Sequence, residues 1–383
     1  MKRESTMESD GRRIAGTGSS APRRRPADRV RATWRRPRRF AAALAGAVIL
    51  AACGAPGEDS PDGQAPRAGG GGREFLSVGT APPGGTFFVV GGAVAEVLDA
   101  HGPWRVTAEA TKGTQENIRR LDRGELDLAL ANAAITYFAV RGEEGWERPY
   151  PVLSAMTLAP NVGLFLAREG SGIRRVADLA GRRVVLGPAG AGFEFFLRPI
   201  LAAHGVALDD LTALYNTQSG AVDMLADGSA DAVFLGGGVP TPSITQAAAG
   251  GRVTFIPFDP AAVGRLVAEY TFFDPATIPA GTYTGLDADF HGLDVGSMHL
   301  VVAAGADEQR VYDLVATIWE HREEVAARHA AGRAIRPEIV TRDTGTPFHP
   351  GAIRFYRDAG LWSEEAPAAG APAPTEPIPE SPR

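Results

Sequence analysis

Lys112 is the only lysine besides Lys2, and it sits in the loop Thr111-Lys112-Gly113-Thr114. A compact ammonium on a flexible stem, beside a glycine and a threonine, suits the carboxylate of a small ligand. A solvated loop lysine is the competing reading. Glu116 and Asn117 follow in what reads as the first helical turn. Glu116 favours the helix dipole there, and Asn117 either caps the backbone or reaches a ligand. A second loop, Gly84-Gly85-Thr86-Phe87-Phe88, follows the apolar run Phe75 to Val78 and Gly79-Thr80. A third, Pro188-Ala189-Gly190-Ala191-Gly192, leads into Phe193. Backbone N–H groups at such loops favour anions, and the phenyl rings offer an apolar wall.

The usual catalytic constellations are missing. The sequence has no G-x-S-x-G elbow, no H-E-x-x-H and no paired cysteines, because Cys53 is its one cysteine. Lys112 lacks the glycine spacing of a Walker loop. Asp289, His291, Asp294 and His299 match no familiar ligand spacing, and a polar loop with satisfied side chains is the better reading. His321 and His329 stand too far apart for i, i+4 chelation. No cofactor and no metal are expected.

The three loops must be positioned by alternating strands and helices. Val90, Val94, Val97 and Leu98 repeat at helical spacing, whereas Trp104 to Ala110 alternates like a half-buried strand. Thr114 is read as an N-cap, Ile118 and Leu121 face inward, and Gly124 stops the helix. Leu126, Leu128 and Leu130 alternate as the next strand. The middle of the chain repeats this design, with Arg183 to Gly187 a strand, Phe193 to His204 a helix and Leu211 to Asn216 a strand. Leu225-x-x-Gly228-x-x-Asp231 echoes Leu121-x-x-Gly124-x-x-Asp127, as two similar α/β lobes would; convergent helix-stop chemistry is the alternative. Asn161 to Ala167 reads as a strand crossing out of the first lobe, and Val295 to Ala304 as one returning to it. A helix is expected from Asp307 to about His329, with Val311, Leu314, Val315, Ile318 and Trp319 on one face.

Gly84-Gly85-Thr86-Phe87-Phe88 with Gly91-Gly92-Ala93-Val94-Ala95-Glu96 resembles the opening of the TAXI family, the extracytoplasmic solute-binding subunits of TRAP transporters. Thr111-x-Gly113-Thr114-x-Glu116-Asn117 and Leu121-x-x-Gly124-Glu125-x-Asp127 continue the resemblance. So do Leu179-x-Gly181-x-Arg183-Val184, Pro275 to Tyr283 and His349-Pro350-Gly351-Ala352, so that it spans roughly Phe75 to Leu361. It implies an α/β chain with a two-lobed type II periplasmic-binding-protein fold and two hinge-crossing strands. It also implies a small organic anion as ligand, TRAP membrane subunits (small and large, separate or fused) as partners, and uptake driven by an ion gradient. The residues expected at the ligand are Thr80, Gly85, Thr86, Phe87, Lys112, Gly113, Thr114, Asn117, Asn132, Gly190, Gly192 and Phe193. An ABC-type receptor or a ligand-sensing lipoprotein is the alternative function, and a periplasmic enzyme is a more distant one. The chain departs from the family's pattern in three places. Phe87 and Phe88 replace tyrosines, Ala131-Asn132-Ala133 replaces a Q-S-D-like triplet, and Gly190 to Glu194 replaces a G-S-G-T-R-like loop. Fewer polar groups and more aromatic wall suit a more apolar acid than glutamate.

The ends of the chain read differently from its body. The first forty residues carry thirteen basic against four acidic residues, so the remainder holds −15 of a net −6. This basic excess belongs to a leader and gives no footprint for nucleic acid. Phe40 to Ala52 is too short to span a bilayer and fits a signal-peptide core. It ends in Leu50-Ala51-Ala52-Cys53, which resembles a bacterial lipobox, so a lipid on Cys53 is expected to anchor the protein outside the cytoplasm. The expected organisation is a lipoprotein signal peptide over residues 1–53 and a flexible tether over 54–72. Residues 73–167 then form the first part of lobe I and 168–290 form lobe II. Residues 291–363 make the hinge return and the rest of lobe I, and 364–383 a disordered tail.

Overall fold

The computed structural model describes residues 73–363. Cys53, its leader and tether, and the 364–383 tail lie outside them. The first sheet is begun by β1 (Glu74–Gly79), β2 (Trp104–Glu109) and β3 (Leu128–Asn132), connected through α1 (Thr86–His101) and α2 (Thr114–Asp122). These strands are parallel, with β1 between the other two. α3 (Ala133–Arg141) and β4 (Val152–Ala159) follow.

The chain then changes sheet. β5 (Val162–Arg168) enters the second sheet, where β6 (Arg183–Gly187), β7 (Thr212–Tyr215) and β8 (Ala232–Gly237) alternate with α4 (Glu194–Ala203) and α5 (Gln218–Asp227). α6 (Pro242–Ala249), β9 (Val253–Ile256), α7 (Pro260–Glu269), β10 (Phe273–Ile278) and β11 (Phe290–Val295) complete that lobe. β12 (Met298–Ala303) returns to the first sheet between β3 and β4. α8 (Glu308–Glu320), α9 (Arg322–Arg328), α10 (Pro337–Val340) and α11 (Pro350–Asp358) close the described chain. No helix among the described residues is long and apolar enough to cross a membrane.

The sheet orders are β2-β1-β3-β12-β4 and β10-β11-β5-β8-β6-β7. Each lobe therefore has a parallel β-α-β-α-β unit closed by one antiparallel strand from the other crossing, β12 against β3 and β5 against β8. This is the two-lobed α/β fold with two crossing strands that the resemblance implies. The internal repeat has a physical basis. Asp127 accepts from the Ser77 N–H at 2.8 Å, and Asp231 accepts from the Arg183 N–H at 3.0 Å. Each aspartate, just before the third strand of its unit, ties that strand to the first.

β3 is buried at all five positions, not alternately. Leu128 and Leu130 enter one core while Ala129 and Ala131 enter another, because a sheet covered on both faces buries both sets of side chains. Pro160 donates no hydrogen bond and ends β4. The lobe change falls there, before the division expected at residue 167, and β5 pairs with β8, β9 and β11. The return crossing lies at Gly296-Ser297. Gly296 has φ 106°, and a Cβ there would lie 2.6 Å from the Asn132 Oδ1 and the Ala134 nitrogen. The single helix expected from Asp307 to His329 breaks at His321 into α8 and α9, and the His321 ring stacks on His101 of α1.

Candidate functional site

A cleft separates the two lobes. Its first-lobe wall is Thr80, Ala81, Pro82, Pro83, Gly85, Phe87, Lys112, Gly113, Thr114 and Asn132. Its second-lobe wall is Pro188, Ala191, Phe193, Phe196, Gln218, Phe234 and Gly236, with Asn161 at the hinge. The empty volume is about 640 Å³, open mouth and solvent included. The lobes touch around it. The Gln115 N–H donates to the Ala191 carbonyl and the Thr86 hydroxyl to the Gly238 carbonyl, both at 3.4 Å.

Three helices start at this cleft. Gly85, Gly113 and Phe193 are the N-caps of α1, α2 and α4, all three line the cleft, and none supplies a side-chain cap. A helix start leaves N–H groups without intrahelical partners and carries about half a positive charge. The field in the cleft is therefore positive from backbone alone. By contrast, α3 and α5 are capped by the side chains of Asn132 and Thr217. Lys112 is the one charged side chain in the lining. It is exposed and makes no side-chain ion pair among the described residues. Glu116 turns its carboxylate to the Lys112 backbone N–H, at 3.1 Å.

The chain turns into α2 at Gly113, whose φ of 118° only glycine adopts readily. Gly113 is therefore the cap, not Thr114 as expected, and a Cβ on it would lie 3.3 Å from that of Ala191. Thr114 is the first helical residue, and its hydroxyl accepts from the Asn132 N–H at 2.9 Å. The Thr80 hydroxyl donates to the Glu109 carbonyl at 2.8 Å. Opposite these polar groups stand Phe193, Phe196 and Phe234, with ring centroids 5.2–6.3 Å apart.

Eight of the twelve expected residues line the cleft: Thr80, Gly85, Phe87, Lys112, Gly113, Thr114, Asn132 and Phe193. Thr86 is fully buried against the second lobe. Asn117 is buried beneath the loops, where its Nδ2 donates to the Thr80 and Leu130 carbonyls at 2.8 Å each. Gly190 is an exposed turn, and Gly192 packs near Phe195 and Ile135. Phe88 lies outside the lining.

Two amides are bonded differently from what sequence suggests. Asn132 lines the cleft, but its side chain is committed to Ile135 N–H and to the carbonyls of Val295 and Gly296. Asn161 was missed. Its backbone N–H donates to Asp294, while its side-chain amide, buried at the hinge, makes no hydrogen bond among the described residues. Gln218 was missed too, although the repeat places Thr217-Gln218 where the first lobe has Gly113-Thr114. Its amide is held by Gly236 and Ser243 at 2.8 and 2.7 Å.

The aspartates and histidines weighed as a metal cluster go separate ways. Asp294 is taken by Asn161, Ser297 and Arg342, Asp289 by the Ala280 N–H, and His299 by Thr136. Thr136 donates to the Asn132 carbonyl at 3.0 Å, so its oxygen accepts from His299 Nε2, leaving Nδ1 bare and unpartnered. Burial pushes the His299 imidazole down to about 3, so the ring is neutral.

Among solved structures, the chain is similar to the alkanesulfonate-binding protein SsuA from Xanthomonas axonopodis pv. citri bound to MOPS. Identity is 16%, over 76% of this chain and 95% of that one, with a TM-score of 0.44. It is also similar to PhnD1 from Prochlorococcus marinus in complex with methylphosphonate, at 10% identity over 76% of this chain and 100% of that one, TM-score 0.47. A binding protein component of an ABC phosphonate transporter from Pseudomonas aeruginosa matches at 10% identity over 68% and 79%, TM-score 0.47. The model of the NMT1-like family matches residues 78–360, most of the chain, and the protein belongs to that family.

Proposed function

We propose that this protein is the extracytoplasmic solute-binding subunit of a TRAP-type transporter, capturing a small organic acid between its lobes. The observation that carries the ligand class is the convergence of three helix N-termini without side-chain caps on one cleft whose sole charged side chain is Lys112. A carboxylate placed between Gly85, Gly113 and the Lys112 ammonium gains charge-assisted hydrogen bonds. Asn161 orients the ligand, and Phe193, Phe196 and Phe234 cover its apolar remainder. That wall favours an aromatic or branched acid over a dicarboxylate.

The lining contains no histidine, cysteine or acidic residue, which supports binding over turnover. The lobes hinge at Pro160-Asn161 and Gly296-Ser297, and closure buries the ligand. Cys53 anchors the protein to the membrane through a lipid, where TRAP membrane subunits receive the solute. The TRAP assignment rests on the motifs at Gly84 to Glu96 and Thr111 to Asn117. Native mass spectrometry of protein purified without stripping tests the reading of the cleft. A retained acidic compound supports it, and a retained neutral sugar or cation overturns it.

A further inference from the structure

At the far end of α1 from Gly85, three side chains from two segments of the chain converge. His101 closes the last turn of α1, His321 stands at the break between α8 and α9, and Glu324 lies on α9. The two imidazoles are stacked, with centroids 3.5 Å apart and planes 8° from parallel. Glu324 Oε1 lies 2.9 Å from His101 Nε2 and 3.2 Å from His321 Nδ1. The three donor atoms all lie within 4.8 Å of one another, the one such His/Cys/Asp/Glu group among the described residues. Zinc bonds to imidazole and carboxylate are ~2.0–2.2 Å, so neighbouring donors of a tetrahedral ion are ~3.4 Å apart. The carboxylate already stands close to that distance from both nitrogens.

We propose that His101, His321 and Glu324 form a divalent-metal site that clasps the end of α1 to the α8–α9 junction. Two imidazole nitrogens and one carboxylate oxygen are a donor set for Zn²⁺ and its borderline neighbours, not for Mg²⁺ or Ca²⁺. Parallel rings direct their lone pairs side by side, so coordination opens the stack by rotation of the side chains. The exposure of His101 and Glu324 leaves room for that rotation. Three protein donors leave at least one position for water. His329 is not part of the set, since its Nδ1 accepts from the Ala331 N–H.

The bond would join elements now held across their surface by the ion pair of Arg328 with Glu96 at 2.7 Å and by buried Val325. α1 has 16 residues, or ~24 Å at 1.5 Å per residue. The metal site is thus remote from the cleft and does not rest on the ligand reading.

Titration calorimetry with ZnCl₂ tests the site, using the full chain without a polyhistidine tag, alongside His101→Ala, His321→Ala and Glu324→Gln. One saturable site is expected in the wild type, weakened at least tenfold in each histidine variant. Zinc should raise the melting temperature of the wild type and not of His101→Ala/His321→Ala. X-ray absorption on the wild-type complex should show two imidazoles in a nitrogen and oxygen shell. Absence of saturable binding at neutral pH, equal affinity in the double variant, or a shell without imidazole would overturn the proposal.

Discussion

The side-chain amide of Asn132 donates to the Gly296 carbonyl at 2.9 Å, so the floor of the cleft and the returning hinge crossing are one hydrogen-bonded unit. The same amide donates to Val295 and its oxygen caps α3. Asn132→Ala should therefore act on stability, leaving buried backbone groups unpaired at a cost of ~1–3 kcal/mol. Asn161→Ala removes a side-chain amide that makes no hydrogen bond among the described residues. It should leave the melting temperature nearly unchanged while weakening acid binding by about tenfold. Melting curves and calorimetry on the pair separate the two roles, and equal behaviour of the variants would contradict the assignment.

Arg342 reaches the hinge, pairing with Asp294 at 2.8 Å and Asp274 at 2.5 Å. The Asp274 contact is poorly aligned for a hydrogen bond. Burial pushes the Asp294 carboxyl above its ordinary range, and Arg342 opposes that push. Arg342→Met should leave an uncompensated buried carboxylate and destabilise the fold by ~3–5 kcal/mol in urea melts at neutral pH. Asp294→Asn added to it should recover part of the loss. With the folded carboxyl raised above its unfolded value, acidification should also lessen the defect of Arg342→Met.

His299 sets an acid limb on stability. Its folded value of about 3 lies below the ordinary 6.5, so the unfolded chain binds the extra proton between those two values. Its contribution is fully favourable above ~6.5 and is lost as pH falls toward 3, at ~1.4 kcal/mol per pH unit. His299→Gln, which keeps a donor toward Thr136, should flatten that limb in urea melts between pH 6.5 and 4. An unchanged slope would mean that other groups set it.

Much of this was legible because it is local. Strand, loop and helix periods placed both β-α-β-α-β units, and the paired Leu-x-x-Gly-x-x-Asp segments announced two similar lobes. Lys112, Gly113 and Phe193 stood out by residue type beside loops that open helices. What the sequence hid depends on contacts between distant segments. Asn132 reads as a ligand group until Val295 and Gly296, from the return crossing, take its N–H groups. Asn161 looks like a connector residue until the hinge turns it into the cleft. His101 and His321, from helices far apart in the chain, meet only when α1 packs beside α9.

The leader lies outside the described residues, so its test is biochemical. Leu50-Ala51-Ala52-Cys53 predicts that Cys53→Ser moves the protein from the membrane fraction to the soluble one with ligand affinity unchanged. Unaltered fractionation would mean that the cysteine carries no lipid.

The ligand proposed for the cleft is a negative charge on an apolar body. Thermal-shift titration with matched pairs, an aromatic acid and its neutral amide, on wild type and Lys112→Ala tests it most directly. The acid should raise the melting temperature saturably and the amide should not. Lys112→Ala should need about tenfold or more acid for the same shift, as loss of a charge-assisted hydrogen bond of ~1.5–3 kcal/mol implies. Equal stabilisation by the amide, or stabilisation by neutral sugars or cations alone, would contradict the account.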